Sequence, residues 1–171
     1  MAVAVIGILA AIAIPNFVRY QLRAKEAAGK EELASLYRAE LALVERAGAF
    51  RKLSVGAPAP GQAASTWSED DLAMAREIDW IVAGRGFYAY TVAAGQTEDG
   101  RPAFSACAEA DLDGDGVVSA LVTWHPVDLG EGRLAAPTAP CRFGPTPIRS
   151  LEFQPNDTPG VPTKVTADTV Y

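Results

Sequence analysis

Three aspartates, Asp111, Asp113 and Asp115, alternate with Leu112, Gly114 and Gly116. Calcium loops set carboxylates at positions 1, 3 and 5, with glycine at 6 for the sharp turn. Asp111, Asp113, Asp115 and Gly116 meet all four requirements, and Val118 meets the apolar eighth position. The bidentate acid due at position 12 is missing, because Val122 stands there. A calcium site would therefore need a ligand from elsewhere, such as Glu109 or Asp128. A solvated Asp/Gly turn between two strands has the same spelling, and both readings stand at this level. Other reactive groups are few. His125 is the single histidine, beside Pro126 at an expected strand end, and reads as structural. Cys107 and Cys141 are the two cysteines. No G-x-S-x-G and no G-x-x-x-x-G-K-[ST] occurs. No catalytic and no cofactor-binding residue is expected, so the reading is not an enzyme.

The elements around the loop follow from patterning. Of 171 residues 49% are hydrophobic and 21% charged, which excludes a disordered chain, a collagen and a polytopic membrane protein. A net charge of −6 and a pI near 4.8 give no basic face for nucleic acid. The charge is unevenly spread. Residues 1–52 carry eight Lys/Arg against five Glu, whereas residues 53–171 carry seven basic and sixteen acidic residues. Eight of the twelve prolines lie from Pro126 to Pro162. Three zones result: an apolar helix half (1–22), a helix-plus-sheet head (23–125) and a Pro-rich C-terminal segment (126–171).

Residues 1–14 carry no polar side chain, but fourteen helical residues cover only about 21 Å. A bilayer core needs about 20 residues. A signal peptide would want a basic segment ahead of the run, and a buried helix would want a larger protein around it. A membrane helix lacking its first residues is the third reading. Pro15 interrupts the run, then Phe17, Arg19, Tyr20, Arg23, Lys25 and Lys30 follow with an interface-like composition. From Leu33 the apolar residues recur at helical spacing through Leu36, Tyr37, Leu41 and Val44. Gly48 suits a helix C-terminus. One helix of about 47 residues, bent at Pro15, is expected.

Residues 4–17, Ala-Val-Ile-Gly-Ile-Leu-Ala-Ala-Ile-Ala-Ile-Pro-Asn-Phe, resemble the N-terminal helix of type IV pilins and type II secretion pseudopilins. In that family a short basic leader ends in Gly, and a segment containing Glu opens the mature chain. Here Met1 falls inside the run, so a misplaced or truncated start is expected. About seven further residues would bring the run to roughly 31 Å. The basic residues after the run would by the positive-inside rule face the cytoplasm, whereas the cysteine pair argues for the outside. The resemblance implies a pilus-like filament subunit that assembles through Val5, Ile6, Gly7, Ile8, Leu9, Ile12, Ile14 and Pro15. It implies identical or related pilin subunits, the inner membrane and an assembly machinery as partners. Its locations would be the inner membrane, then a cell-surface pilus or a periplasmic pseudopilus. A secretion pseudopilin and a membrane-anchored extracytoplasmic binding module are the alternatives.

The head is read as α+β, a long bent helix on a small antiparallel sheet. Residues 49–66 read as a loop, and Ser68 caps a short acidic helix. Tyr88, Tyr90 and Val92, then Phe104, Ala106 and Ala108, then Val118, Ala120, Val122 and Trp124 mark three strands. Gln96–Gly100 and Asp113–Gly116 are their turns. Trp67, Trp80, Trp124, Tyr88 and Tyr90 read as core. An even cysteine pair in an extracytoplasmic protein favours a disulfide, and two buried thiols are the cytosolic alternative. A Cys107–Cys141 bond would hold the tail over the sheet face away from Phe104 and Ala106.

Overall fold

The computed structural model describes residues 2–56, 61–96, 100–125, 127–128, 134–135, 141–142 and 160–164. One helix, α1, spans Ala2–Ala47 and is about 69 Å long. Pro15 lies inside it and, lacking an N–H, leaves the Ala11 carbonyl without its usual partner. The helix stops where a left-handed residue is needed. Gly48 has φ 74°, and its N–H donates to the Val44 carbonyl at 2.8 Å.

Five short strands and one helix precede the sheet's C-terminal half: β1 (Leu53–Gly56), β2 (Ser65–Thr66), α2 (Glu69–Glu77), β3 (Arg85–Gly86), β4 (Ala89–Gln96) and β5 (Pro102–Ala110). Then come β6 (Ser119–His125), β7 (Val127–Asp128), β8 (Leu134–Ala135) and β9 (Thr163–Lys164). The main sheet runs β1-β4-β5-β6-β9, with every neighbouring pair antiparallel. Two small pairs, β2–β3 and β7–β8, stand beside it. The architecture is α+β, a long helix packed on an antiparallel sheet. The stretch 49–66, expected as loop, contains β1 and β2. Leu53 and Val55 are buried against the core while Ser54 stays exposed, so a four-residue alternation closes the sheet edge.

Helix α2 follows its sequence closely. The Ser68 hydroxyl accepts from Asp71 N at 3.1 Å, and the Asp71 carboxylate accepts from Ser68 N at 3.0 Å. This reciprocal box satisfies two N–H groups that the helix itself cannot.

The sheet is buried on both faces, and register assigns the faces. Ala106 pairs with Thr123 and Ala108 with Leu121, so Leu121, Thr123 and His125 face α1. Of the expected strand set, Val118 stands just ahead of β6, and Ala120, Val122 and Trp124 point to the opposite face, beside Cys107, Ser105 and Glu109. That face is also closed, at 2% exposure or less. Cys107 is bonded to Cys141, with Cα atoms 5.4 Å apart. The next residue, Arg142, donates its backbone N–H to Glu109 and its guanidinium to Ser54. Gly160 N donates to the Trp124 carbonyl at 3.3 Å, and β9 adds the last strand. Most of the Pro-rich segment 126–171 lies outside the described residues.

Candidate functional site

The two ends of α1 meet different surroundings. From Val3 to Tyr20 the large apolar side chains stand in solvent on every side of the helix: Val5, Ile6, Ile8, Leu9, Ile12, Ile14, Phe17 and Tyr20 are all more than half exposed. An 18-residue window of this helix has mean hydropathy 1.8 and no burial within the fold. By length and composition it can cross a membrane, a longer span than the fourteen strictly apolar residues suggested. Gly7 meets nothing within 4 Å, so an open surface surrounds it. An apolar stripe wider than any one face can be stable only in lipid or against other apolar surface.

Leu22, 8% exposed, is where packing begins. Leu33 and Leu36 are fully buried against the sheet. Gly29 lets the helix approach closely, since a Cβ there would run into the Tyr88 ring. Polar side chains fix the helix's rotation. Glu32 accepts from the Tyr90 hydroxyl, and the Ser35 hydroxyl accepts from Trp80 Nε1 at 2.8 Å. Tyr37 Oη and His125 Nδ1 lie 3.3 Å apart. His125 also stacks on Phe104 at an interplanar angle of 10°, and burial pushes its imidazole below the ordinary value. Trp67, Trp80, Trp124, Tyr88 and Tyr90 are all buried and serve as core.

Glu40 escapes a reading by residue type. It is fully buried on α1, its Oε2 accepts from Arg51 N at 3.0 Å, and its Oε1 has no partner. Burial raises its pKa to about 7, against the opposing effects of the Arg51 N–H and the Arg51 charge. The sequence signal was its place in the apolar stripe, three residues after Tyr37 and one before Leu41.

The acidic loop between β5 and β6 brings Asp111, Asp113 and Asp115 together, with one carboxylate oxygen of each within 4.8 Å of the others. Its turn is closed by its own backbone. Asp111 accepts from Gly114 N at 2.8 Å and Gly116 N at 3.1 Å, and Asp115 accepts from Val117 N at 2.7 Å. Gly114 and Gly116 take positive φ of 76° and 85°. Asp113 lies above the ordinary carboxylate value, through desolvation first and then its acidic neighbours. Glu109 does not reach this loop, because it accepts from Arg142 on the back of the sheet. The Asp128 side chain lies outside the described residues. Gln62 ties the loop to α1: its side-chain amide donates to the Asp113 main-chain carbonyl, and its main-chain carbonyl accepts from Lys25 Nζ at 3.1 Å. The loop therefore sits at the end of the head from which the bare helix emerges.

A bare apolar helix half joined to a packed α+β head is a pilin-like layout. The chain is 58% identical over 38 residues to the type IV major pilin protein PilA of Myxococcus xanthus (strain DK1622). That stretch is 22% of this chain and 17% of that protein. No family model and no solved structure matches the chain.

Proposed function

We propose that this protein is a non-catalytic structural subunit of a type IV pilus-like filament. The observation that carries the reading is the bare apolar half of α1 beside a head whose sheet is closed on both faces. Val5, Ile6, Gly7, Ile8, Leu9, Ile12, Ile14 and Pro15 would leave the inner membrane and bury themselves against identical or related subunits. Apolar burial is worth about 25 cal/mol per Å2, so a fully exposed stripe supplies a large driving force. Between a cell-surface pilus and a periplasmic secretion pseudopilus, the disulfide-held tail favours the pilus. The membrane-anchored monomeric binding module is the rival. Shearing cells that express the chain tests all three. Surface fibres containing it support the pilus, and a secretion defect without fibres supports the pseudopilus. A chain that stays in the membrane with neither effect supports the module.

The acidic loop supports a smaller proposal. Convergence of Asp111, Asp113 and Asp115 within 4.8 Å favours a bound calcium ion of millimolar-range affinity. A melting temperature that climbs with calcium at constant ionic strength, and no longer does so in Asp113→Ala, assigns the ion. An unmoved wild-type transition leaves a plain turn.

A further inference from the structure

A carboxyl with half its hydrogen bonding unmet lies inside the head, and the cover over it is thin. Glu40 is fully buried on α1, one turn beyond the equally buried Leu36. Its Oε2 accepts from Arg51 N at 3.0 Å, and its Oε1 has no partner. Arg51 belongs to the connector 48–52, which joins α1 to β1. In that connector Gly48, Ala49, Arg51 and Lys52 are exposed. Phe50 is buried, its ring centroid 4.6 Å from that of Phe104 and 5.3 Å from that of His125. Gly48, at φ 74°, offers a hinge. The Arg51 guanidinium pairs with Glu77 of α2, but both side chains are about half exposed, and such pairs hold weakly.

Each element around Glu40 brings few ionisable groups. Burial raises the Glu40 pKa to about 7, against the Arg51 N–H and the Arg51 charge from the connector. Helix α2 contributes Glu77, which faces the Arg51 guanidinium. On α1 itself Tyr37 lies one turn earlier, and burial pushes its hydroxyl above the ordinary value, so it stays neutral. Strand β6 contributes His125, packed on Phe50, whose imidazole burial holds below the ordinary value. Its buried form is the neutral one, so its protonation loosens the head as pH falls, opposite in sign to Glu40. Strand β5 contributes Phe104, which carries no charge. An ionised carboxylate with one N–H donor in a buried site is costly, and the thinnest barrier to water is the connector.

We propose that the connector 48–52 is a pH-operated latch, which neutral Glu40 keeps shut and ionised Glu40 drives open about the Gly48 hinge. Opening lifts Phe50 off Phe104, parts Arg51 from Glu77 and lets water reach the carboxylate. The Arg46–Asp79 pair still ties the end of α1 to the turn after α2, and Leu33 and Leu36 stay packed on the sheet. The shut form binds the Glu40 proton more tightly than the open form, where the solvated carboxyl returns towards its ordinary 4.5. The open fraction is therefore lowest below about pH 4.5, climbs about tenfold per pH unit up to 7, and levels off above it. The latch belongs to the head and does not depend on the filament reading.

Native-state hydrogen exchange of the full chain in detergent, at low urea and corrected for intrinsic rates, tests it across the acid-to-neutral range. Protection in 48–52 should fall about tenfold per pH unit and then hold steady above 7. Its urea dependence should be shallow, because little surface opens, whereas β5 amides should show the steep dependence of whole-head unfolding. A connector whose urea dependence matches that of β5 opens only with the whole head, and overturns the proposal. Protection that ignores pH overturns it too. Glu40→Gln should leave the connector shut, with flat protection across the window. A slope that survives in Glu40→Gln belongs to another group, and the latch is wrong. If that variant does not fold, the wild-type profile and Arg51→Gln still decide. Arg51→Gln alters a half-exposed side chain, keeps the N–H and removes the charge that favours ionised Glu40. Its levelling-off should move to higher pH, and one that stays put contradicts the latch.

Discussion

The two halves of α1 are one continuous helix with opposite relations to their surroundings. Below Leu22 the apolar residues occupy every side and touch nothing in the fold. Above it they occupy one stripe, and the stripe meets the sheet. Helix formation is therefore the same in both halves, while the medium each half is built for differs. Lipid or neighbouring subunits suit the first, and water on one side with a sheet on the other suits the second. The bare half gives this head no stability of its own. On the proposed filament reading, its apolar surface is free energy held for assembly.

Cutting between the halves gives the largest expected effect. Removing residues 1–21, ahead of the buried Leu22, should convert a detergent-requiring protein into a soluble monomer with an unchanged melting temperature, checked by light scattering and calorimetry. Aggregation of that head, or its unfolding, would erase the division. The opposite face of the head supplies the next effect. Cys107→Ala with Cys141→Ala should lower stability by about 2–5 kcal/mol in denaturant titration, because the closed loop spans 34 residues. The bare half should remain helical in detergent throughout.

Glu40 sharpens the comparison within the packed half. Its folded pKa is about 7 against an ordinary 4.5, so the folded state binds the proton more tightly than the unfolded one. That contribution is fully present below about pH 4.5 and is lost as pH rises through 7. The difference is worth about 3 kcal/mol. Glu40→Gln should flatten the head's stability across this window. An unchanged pH profile would mean that the carboxyl is solvated. The smallest effect lies farthest from α1: Ser68→Ala should cost about 1 kcal/mol by removing the α2 cap.

Local rules made some of this legible from residue order. The stripe Leu33, Leu36, Tyr37, Leu41, Val44 marked the packed half, Gly48 its end and Ser68 the start of α2. The bare half was legible because no polar side chain interrupts it. Where both sides of an element are buried, alternation loses its meaning. In β6 the more apolar set, Ala120, Val122 and Trp124, turned out to line the back face, and Thr123 and His125 the helix face. Only cross-strand register decides that. Glu40 and Glu109 are buried carboxyl side chains held by the backbone N–H groups of Arg51 and Arg142, beyond their own elements, which residue type does not show. The pairing of β9 with β6 and the short β1 likewise depend on long-range contacts. In the candidate site, the three aspartates were plain in the sequence. Their position at the base of the head, tied to Lys25 through Gln62, was not.

The central claim is that the bare half of α1 is an assembly surface. Electron cryomicroscopy of fibres sheared from cells expressing the chain tests it most directly. The account predicts a core of bundled α1 helices, with Val5–Ile14 at the axis and the heads outside. Fibres held together by heads alone, with this segment absent from the core, would contradict it.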